Sequence, residues 1–148
     1  MGGEPAAGGT ATATVVGDEV GSDTLYEVER IAGGSGNDTM IGLVSGYRLD
    51  GGAGDADQLD YSKNADESAN ATAVTVNLEN GLTTWAGGTQ TLTGFEAAKG
   101  GSGDDLFRGN TLNNRFIGGA GNDTVTYTGV VSALTVDLVN GKAYGADI

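Results

Sequence analysis

One glycine-rich pattern recurs along this chain and limits what it can fold into. Gly-Gly-x-Gly-x-Asp occurs at residues 33–38, 100–105 and 118–123, and a looser copy with one extra residue occupies 51–57. Glycine allows positive φ angles and lets backbone carbonyl oxygens approach one another. The aspartate adds an anionic oxygen, and Ca²⁺ accepts roughly six to eight oxygen ligands in irregular geometry. The pattern therefore predicts turns that bind calcium.

A nine-residue period surrounds each copy of the pattern and predicts the fold. Six residues of each unit form a turn and three form a strand, so two units complete one coil and successive strands belong to two stacked sheets. The sequence therefore predicts an all-β chain, a calcium-stapled parallel β-roll or right-handed β-helix solenoid. The units form two triplets, at 33–41, 42–50 and 51–60, and at 100–108, 109–117 and 118–126.

The same geometry predicts which turns and side chains meet. Turns two units apart lie on one edge of the roll, so 33–38 should stack on 51–57, and 100–105 on 118–123. Short strands bury little apolar surface, and each glycine is costly to order, so the calcium-free chain is predicted to be marginal. The apolar residue at the eighth position of each unit should fill a thin core: Met40, Leu49, Leu59, Phe107, Phe116 and Val125.

A longer repeat relates the two triplets. Gly33 and Gly100, which open the triplets, are 67 residues apart. The second copy ends before a segment that the first one contains, so flanking repeats of a longer array are expected. The predicted organisation is a linker at 1–9 and a single domain at 10–148, whose two copies span approximately 24–90 and 91–148.

Strand signals follow each triplet. Residues 74–78 and 134–138 alternate apolar and polar side chains, which is typical of a half-buried strand. An Asn-Gly pair follows each of them, as expected for a tight turn. The polar stretch 62–68 is predicted to be a protruding loop.

Composition narrows the function classes. The formal net charge of −13 disfavours nucleic acid and anionic membranes as partners, and no apolar run is long enough for membrane insertion. The chain contains no histidine and no cysteine, which excludes catalytic triads and imidazole bases. We therefore expect no enzyme activity from this segment.

Three signatures and their flanking segments resemble a known family. The signatures at 33–38, 100–105 and 118–123, with the segments around 23–29 and 74–81, resemble the RTX (haemolysin-type calcium-binding) repeats of secreted bacterial proteins. The resemblance implies a parallel β-roll, export by type I secretion, and folding in calcium outside the cell or on the bacterial surface. Toxins, proteases, lipases, epimerases and adhesins contain such repeats, so the parent activity stays open.

The resemblance also implies a ligand set. Carbonyl oxygens at the first, third and fourth positions of each turn and the carboxylate at the sixth would bind Ca²⁺. Carried onto this chain, the ligands are Gly33, Ser35, Gly36 and Asp38; Gly51, Ala53 and Gly54 with Asp55 or Asp57; Gly100, Ser102, Gly103 and Asp105; and Gly118, Ala120, Gly121 and Asp123.

Three more acidic residues precede the triplets. Asp23, Glu29 and Glu96 would either complete outer calcium sites or remain solvated. Glu29 and Glu96 correspond to each other in the 67-residue repeat.

The favoured hypothesis is a non-catalytic calcium-binding module that folds and stiffens on binding Ca²⁺ as part of a larger secreted or surface protein. An alternative is an accessory module that binds polysaccharide, with Trp85, Tyr61 and Tyr127 as an aromatic platform, or that assists a neighbouring catalytic domain. A fragment of a β-helical polysaccharide lyase or epimerase is a third hypothesis. It would require an open cleft of carboxylates that calcium does not occupy.

Overall fold

The fold is built from short strands. A computed structural model describes residues 25, 27–64, 66–129, 133, 135–137 and 142–144, and within these ranges it contains thirteen β-strands and no helix. No helix able to cross a bilayer occurs in this part of the chain. The strands are β1 (Arg30–Ala32), β2 (Thr39–Leu43), β3 (Arg48–Asp50), β4 (Gln58–Asn64), β5 (Val74–Asn77), β6 (Leu82–Trp85), β7 (Gly88–Thr93), β8 (Ala97–Lys99), β9 (Leu106–Arg108), β10 (Arg115–Ile117), β11 (Thr124–Thr126), β12 (Thr135–Asp137) and β13 (Lys142–Tyr144).

Two sheets in which the nonapeptide strands pair in parallel confirm the predicted β-roll. A four-stranded sheet has the order β10-β8-β4-β2, and a seven-stranded sheet has the order β1-β3-β7-β6-β5-β9-β11. The nonapeptide strands alternate between the sheets and pair in parallel, so equivalent residues stack. Met40 pairs with Leu59, Leu59 with Ala98, and Ala98 with Phe116 along the smaller sheet.

An antiparallel meander widens the larger sheet. Strand β6 pairs antiparallel with both β5 and β7, and β5 and β6 separate β7 from β9. The predicted Asn-Gly turn joins β5 to β6, where Gly81 adopts a φ of 67° that a side chain would disfavour. The predicted strands at 74–78 and 134–138 correspond to β5 and to β12, which pairs antiparallel with β13.

The prediction of a loop at 62–68 is wrong in its first part. Ser62, Lys63 and Asn64 continue β4, and a turn at 66–68 leads back so that Ala69 bridges Lys63. Hydrogen bonding explains the difference, because the Asn64 amide donates to the Ser68 carbonyl at 2.9 Å. This local pairing extends the strand through a polar stretch.

Most of the predicted core residues are buried. Leu49, Leu59 and Phe107 are buried, and Met40 and Phe116 are partly buried against them. The Phe107 and Phe116 rings stack with centroids 5.2 Å apart. The prediction is wrong for Val125, which is 40% exposed because it lies on β11, the outermost strand of its sheet.

Residues outside the nonapeptide units enlarge the apolar core in the middle of the roll. We call residues 58–99 the middle segment. It contributes buried Val74, Val76, Leu92 and Phe95, together with Tyr61, whose hydroxyl shares a 2.9 Å hydrogen bond with Thr83. The middle segment is therefore an integral part of the fold.

The two triplets are half a coil out of phase. The chain passes between the sheets five times from β1 to β8, an odd number, so these corresponding strands lie in different sheets. The turns 33–38 and 51–57 lead from the larger sheet to the smaller one, whereas 100–105 and 118–123 lead back. The first two turns, here called the first turn pair, therefore lie on the opposite edge of the roll from the last two, the second turn pair.

Candidate calcium-binding site

Three hydrogen bonds, two between backbone groups and one to a carboxylate, join the members of the first turn pair. The Ala53 amide donates to the Gly34 carbonyl at 2.9 Å, and the Gln58 amide donates to the Asp38 carbonyl at 2.8 Å. Between them the Asp38 amide donates to Oδ1 of Asp57 at 2.7 Å. The sixth-position carboxylate of one turn therefore caps the same position of the turn before it.

The second turn pair repeats these contacts. The Ala120 amide donates to the Gly101 carbonyl at 3.1 Å, and the Thr124 amide donates to the Asp105 carbonyl at 2.8 Å. The Asp105 amide donates to Oδ1 of Asp123 at 2.9 Å. Both pairs therefore stack as predicted, in the same register, although they lie on opposite edges.

The looser turn reaches this register through Asp57. Gln58 pairs with Thr39, so Asp57 occupies the position equivalent to Asp38, and the extra residue is absorbed within the turn. Asp55, the other candidate ligand, is exposed, and its amide donates to Oδ1 of Asn37 at 3.2 Å. The structure thus brings Asp57 to the sixth position and leaves the Asp55 side chain outside.

Oxygen atoms converge at the first glycine of each pair. A Cβ on Gly33 would collide with the Gly51 carbonyl oxygen and with Oδ2 of Asp38. A Cβ on Gly100 would collide with Oδ2 of Asp105 and would lie 2.5 Å from the Gly118 carbonyl oxygen. Each pair therefore places a carbonyl oxygen of one turn and a carboxylate oxygen of the other beside the same glycine, and both are oxygen types that Ca²⁺ accepts as ligands.

The remaining predicted glycines also lie between the stacked turns. A Cβ on Gly54 would be 2.7 Å from the Gly36 carbonyl oxygen, and one on Gly121 would be 2.5 Å from that of Gly103. Ser35 and Ser102 are exposed at the third position. In each pair we call the turn that comes first in the chain the lower turn and the other the upper turn. The fourth-position carbonyls of the lower turns therefore face the upper turns.

Two carboxylates of these turns are buried. Asp57 and Asp105 are at most 1% exposed, and Oδ2 of Asp57 has no hydrogen-bond partner. Burial, together with the negative charges of Asp123 and Asp104, raises the pKa of Asp105, although hydrogen bonds from two backbone amides oppose this. Buried carboxylates require compensation by a cation or by hydrogen bonds, so the residues present fit calcium.

No protein cation supplies that compensation within the described ranges. The ion pairs found there are Arg30–Asp50, Lys99–Asp60 and Arg108–Glu79. The same ranges contain no group of three or more acidic, histidine or cysteine side chains placed to hold a metal without the backbone. A cation in these turns would therefore depend on backbone carbonyl oxygens as much as on carboxylates.

The three additional acidic candidates have different outcomes. Asp23 lies outside the described residues. Glu29 is exposed ahead of β1, whereas Glu96 is buried, and its Oε2 accepts the Asp57 amide at 3.0 Å. Of the three, Glu96 is the one that the structure brings to a signature turn.

The sequence did not predict two further turns on the edge of the roll that holds the first turn pair. The short turn at 94–96 stacks on 51–57, because the Ala97 amide donates to the Asp57 carbonyl at 2.9 Å. Asn114 takes the sixth position in the next turn, where its Oδ1 accepts the Asn110 amide at 2.8 Å. The carboxamide at position six of 109–117 was a usable signal. The turn 94–96 lacks the nonapeptide length, so the sequence pointed to Glu96 but not to the turn that contains it.

Comparison with protein families agrees with the geometry. A model of the RTX calcium-binding nonapeptide repeat matches residues 28–44 and 99–129, in four copies. These segments are RTX repeats. RTX nonapeptide repeats bind Ca²⁺ and are structural rather than catalytic elements. Comparison with curated proteins and with solved structures gives no significant match.

The RTX match and the fold are complementary. The looser turn 51–57 lies outside the matched ranges, yet it stacks on the matched turn 33–38 with the contacts of a regular pair. The chain thus contains calcium-binding RTX repeats within a parallel β-roll fold, in which irregular turns extend the stacks formed by the recognised repeats.

Proposed function

We propose that this chain is a non-catalytic module that folds and stiffens when it binds calcium outside the cell, as part of a larger secreted or surface protein. The observation that supports this most directly is the identical stacking of two signature pairs. In each pair a first-position glycine brings carbonyl and carboxylate oxygens of neighbouring turns together. The ligands in this proposal are the first-, third- and fourth-position carbonyls and Asp38, Asp57, Asp105 and Asp123.

Electrostatics supports the coupling of calcium to folding. The carboxylates of Asp57 and Asp105 leave water on folding, and burial of an uncompensated charge opposes folding. Calcium binds the stacked turns but not the extended chain, so its binding free energy adds to folding stability. The module would therefore be looser where calcium is scarce.

The RTX repeats support placement outside the cell, where calcium is abundant. Type I export of the loose chain followed by calcium-driven folding would agree with the acidic composition. Flanking repeats or domains of the parent protein are its expected partners. In that setting the folded roll would act as a stiff spacer or as an adhesin segment.

The polysaccharide-binding alternative has weaker support. Tyr61 of the predicted aromatic platform is fully buried and bonded to Thr83, so it is not available to a sugar. Trp85 packs partly buried against the core. We therefore favour calcium-dependent folding over glycan recognition.

Calorimetric titration of calcium into the EDTA-stripped chain tests the proposed function. We expect saturable binding that Mg²⁺ does not reproduce, and a lower number of bound ions in an Asp38→Asn/Asp123→Asn variant. Glu67→Gln is the matched control, because Glu67 is exposed in the turn that follows β4. Equal binding by the double variant and the control would refute the assigned ligands, and an absence of calcium binding would refute the function.

A further inference from the structure

The first stack continues beyond the signature turns. A Cβ on Gly51 would collide with the Gly94 carbonyl oxygen and would lie 2.9 Å from Oδ2 of Asp57. Gly33 has the same surroundings one level lower, formed by the Gly51 carbonyl and Oδ2 of Asp38. The turn 94–96 therefore presents a carbonyl to its neighbour as a signature turn does, although its sequence is Gly-Phe-Glu.

The register identifies Glu96 as the acidic residue of this third level. The Arg115 amide donates to the Glu96 carbonyl at 2.9 Å, as the Gln58 amide donates to that of Asp38 at 2.8 Å. Oε2 of Glu96 accepts the Asp57 amide at 3.0 Å, just as Oδ1 of Asp57 accepts the Asp38 amide at 2.7 Å. Glu96 thus does for Asp57 what Asp57 does for Asp38.

Among the described residues, no cationic side chain pairs with the carboxylates of Asp57 and Glu96 between the turns 51–57 and 94–96. Asp57 and Glu96 are both buried, and none of the ion pairs among the described residues involves either. Oδ2 of Asp57 has no hydrogen-bond partner and lies beside the same glycine as the Gly94 carbonyl. Two buried carboxylates with one unpaired oxygen are unfavourable unless a cation joins them.

In the second turn pair, by contrast, both oxygens of the buried Asp105 carboxylate accept hydrogen bonds. Oδ1 of Asp105 accepts the Val74 amide at 2.8 Å, and its Oδ2 accepts the Gly101 amide at 3.0 Å. Where the second pair meets the middle segment, backbone amides therefore occupy both oxygens. Where the first pair meets it, Asp57 keeps one oxygen free.

We propose that an additional Ca²⁺ binds between the turns 51–57 and 94–96. Its ligands from the chain are the carboxylates of Asp57 and Glu96 and the carbonyl oxygen of Gly94. A mixed carboxylate and carbonyl set in an irregular turn favours Ca²⁺ over Mg²⁺, which requires near-octahedral geometry. This site rests on the proposed function, and it would fasten the first turn pair to the middle segment.

Native mass spectrometry of the full chain at increasing calcium concentration tests this site by counting bound ions. Glu96→Gln should bind one ion fewer than the unmodified chain at saturation, because the amide keeps an acceptor for the Asp57 amide but loses the charge. Glu67→Gln, the same change at an exposed position, should leave the number unchanged. Circular dichroism at saturating calcium monitors folding of each variant.

The outcomes separate this site from the general function. If the unmodified chain binds no calcium, both proposals fail. If it binds calcium and Glu96→Gln binds the same number with the same affinity, only the additional site is overturned. Should Glu96→Gln lose β-structure, Glu96→Asp replaces it. The shorter side chain should raise the calcium concentration needed for the last ion about tenfold, and an unchanged value would overturn the site.

Discussion

The two turn pairs share one construction but meet the rest of the molecule differently. In the first pair the upper turn faces the middle segment, and Asp57 is buried there beneath Glu96. In the second pair the lower turn faces it, and Asp105 is buried beside Val74. The outer carboxylate of the second pair, Asp123, is exposed. Burial of each carboxylate thus depends on contact with the middle segment rather than on the signature.

This difference shows how one sequence motif produces unequal sites. Asp105 uses both oxygens to accept backbone amides, so it stabilises the chain locally as well as offering charge to an ion. Asp57 uses only one, so more of its role should depend on calcium. Substitutions at equivalent positions should therefore have different effects.

Among the predicted substitutions, the largest difference in lost stability between the two turn pairs is expected at the first-position glycines. In Gly51→Ala the new methyl group would collide with the Gly94 backbone and lie 2.8 Å from Cβ of Asp57, so we expect a loss of about 3 kcal/mol. In Gly118→Ala the three atoms nearest to the methyl all belong to the Asp123 side chain, with its Cβ at 2.7 Å, and none is a backbone oxygen, so a smaller loss of about 2 kcal/mol is expected. Denaturant unfolding in saturating calcium measures both.

Gly34→Ala is the control for this comparison, because no atom lies within 4 Å of a Cβ at that position. It should be neutral, or more stable by up to about 1 kcal/mol, through the reduced entropy of the unfolded chain. Equal losses for Gly51→Ala and Gly118→Ala would show that the stack does not continue onto the turn 94–96.

A smaller difference in lost stability is expected between substitutions of the two buried carboxylates, Asp105 and Asp57. Asp105→Asn leaves one backbone amide without an acceptor, at a cost of about 1–3 kcal/mol beyond the lost calcium ligand. Asp57→Asn keeps the acceptor for the Asp38 amide and replaces only the unpaired oxygen. The loss of stability that does not depend on calcium concentration should therefore be larger for Asp105→Asn, whereas Asp57→Asn should mainly change the calcium dependence of folding. Denaturant unfolding at a series of calcium concentrations separates the two effects, and a larger calcium-independent loss for Asp57→Asn would contradict the assigned hydrogen bonds.

The smallest effect is expected for a carboxylate away from both turn pairs. Asp60 is partly buried, which raises its pKa, but hydrogen bonds from Ser62 and Lys99 and the Lys99 charge outweigh this and lower the pKa below 3.8. A depressed pKa stabilises the fold above the unfolded pKa, and this contribution disappears as the pH falls through the folded value.

Asp60→Asn should therefore cost less than about 1 kcal/mol at neutral pH, with the difference from the unmodified chain shrinking as the pH falls below about 4. Thermal unfolding across this pH range at saturating calcium measures the difference, and the number of bound ions should not change. A cost that grows on acidification would reverse the assigned sign.

The sequence was informative where structure is local. Spacing alone predicted that 33–38 stacks on 51–57 and that Leu49, Leu59 and Phe107 are buried, because both follow from a fixed nine-residue unit. It did not predict that the two pairs lie on opposite edges. That depends on the meander β5–β7 occupying one sheet, which is a matter of long-range packing.

The role of Glu96 shows the same limit within the site. The 67-residue repeat aligned Glu96 with Glu29, but one is buried against Asp57 and the other is exposed. Their surroundings differ because the turn 94–96 follows the meander, whereas Glu29 precedes the first strand of the roll. Sequence equivalence therefore identified the residue without identifying its environment.

Titration of Ca²⁺ into the EDTA-stripped chain, followed by far-ultraviolet circular dichroism with Mg²⁺ as the control, tests the central claim most directly. We predict a cooperative gain of β-structure with calcium alone, because ion binding and stacking of the turns are one process. A β-rich spectrum in EDTA that calcium leaves unchanged would contradict it, and the roll would then be stable through its apolar middle segment without the ion.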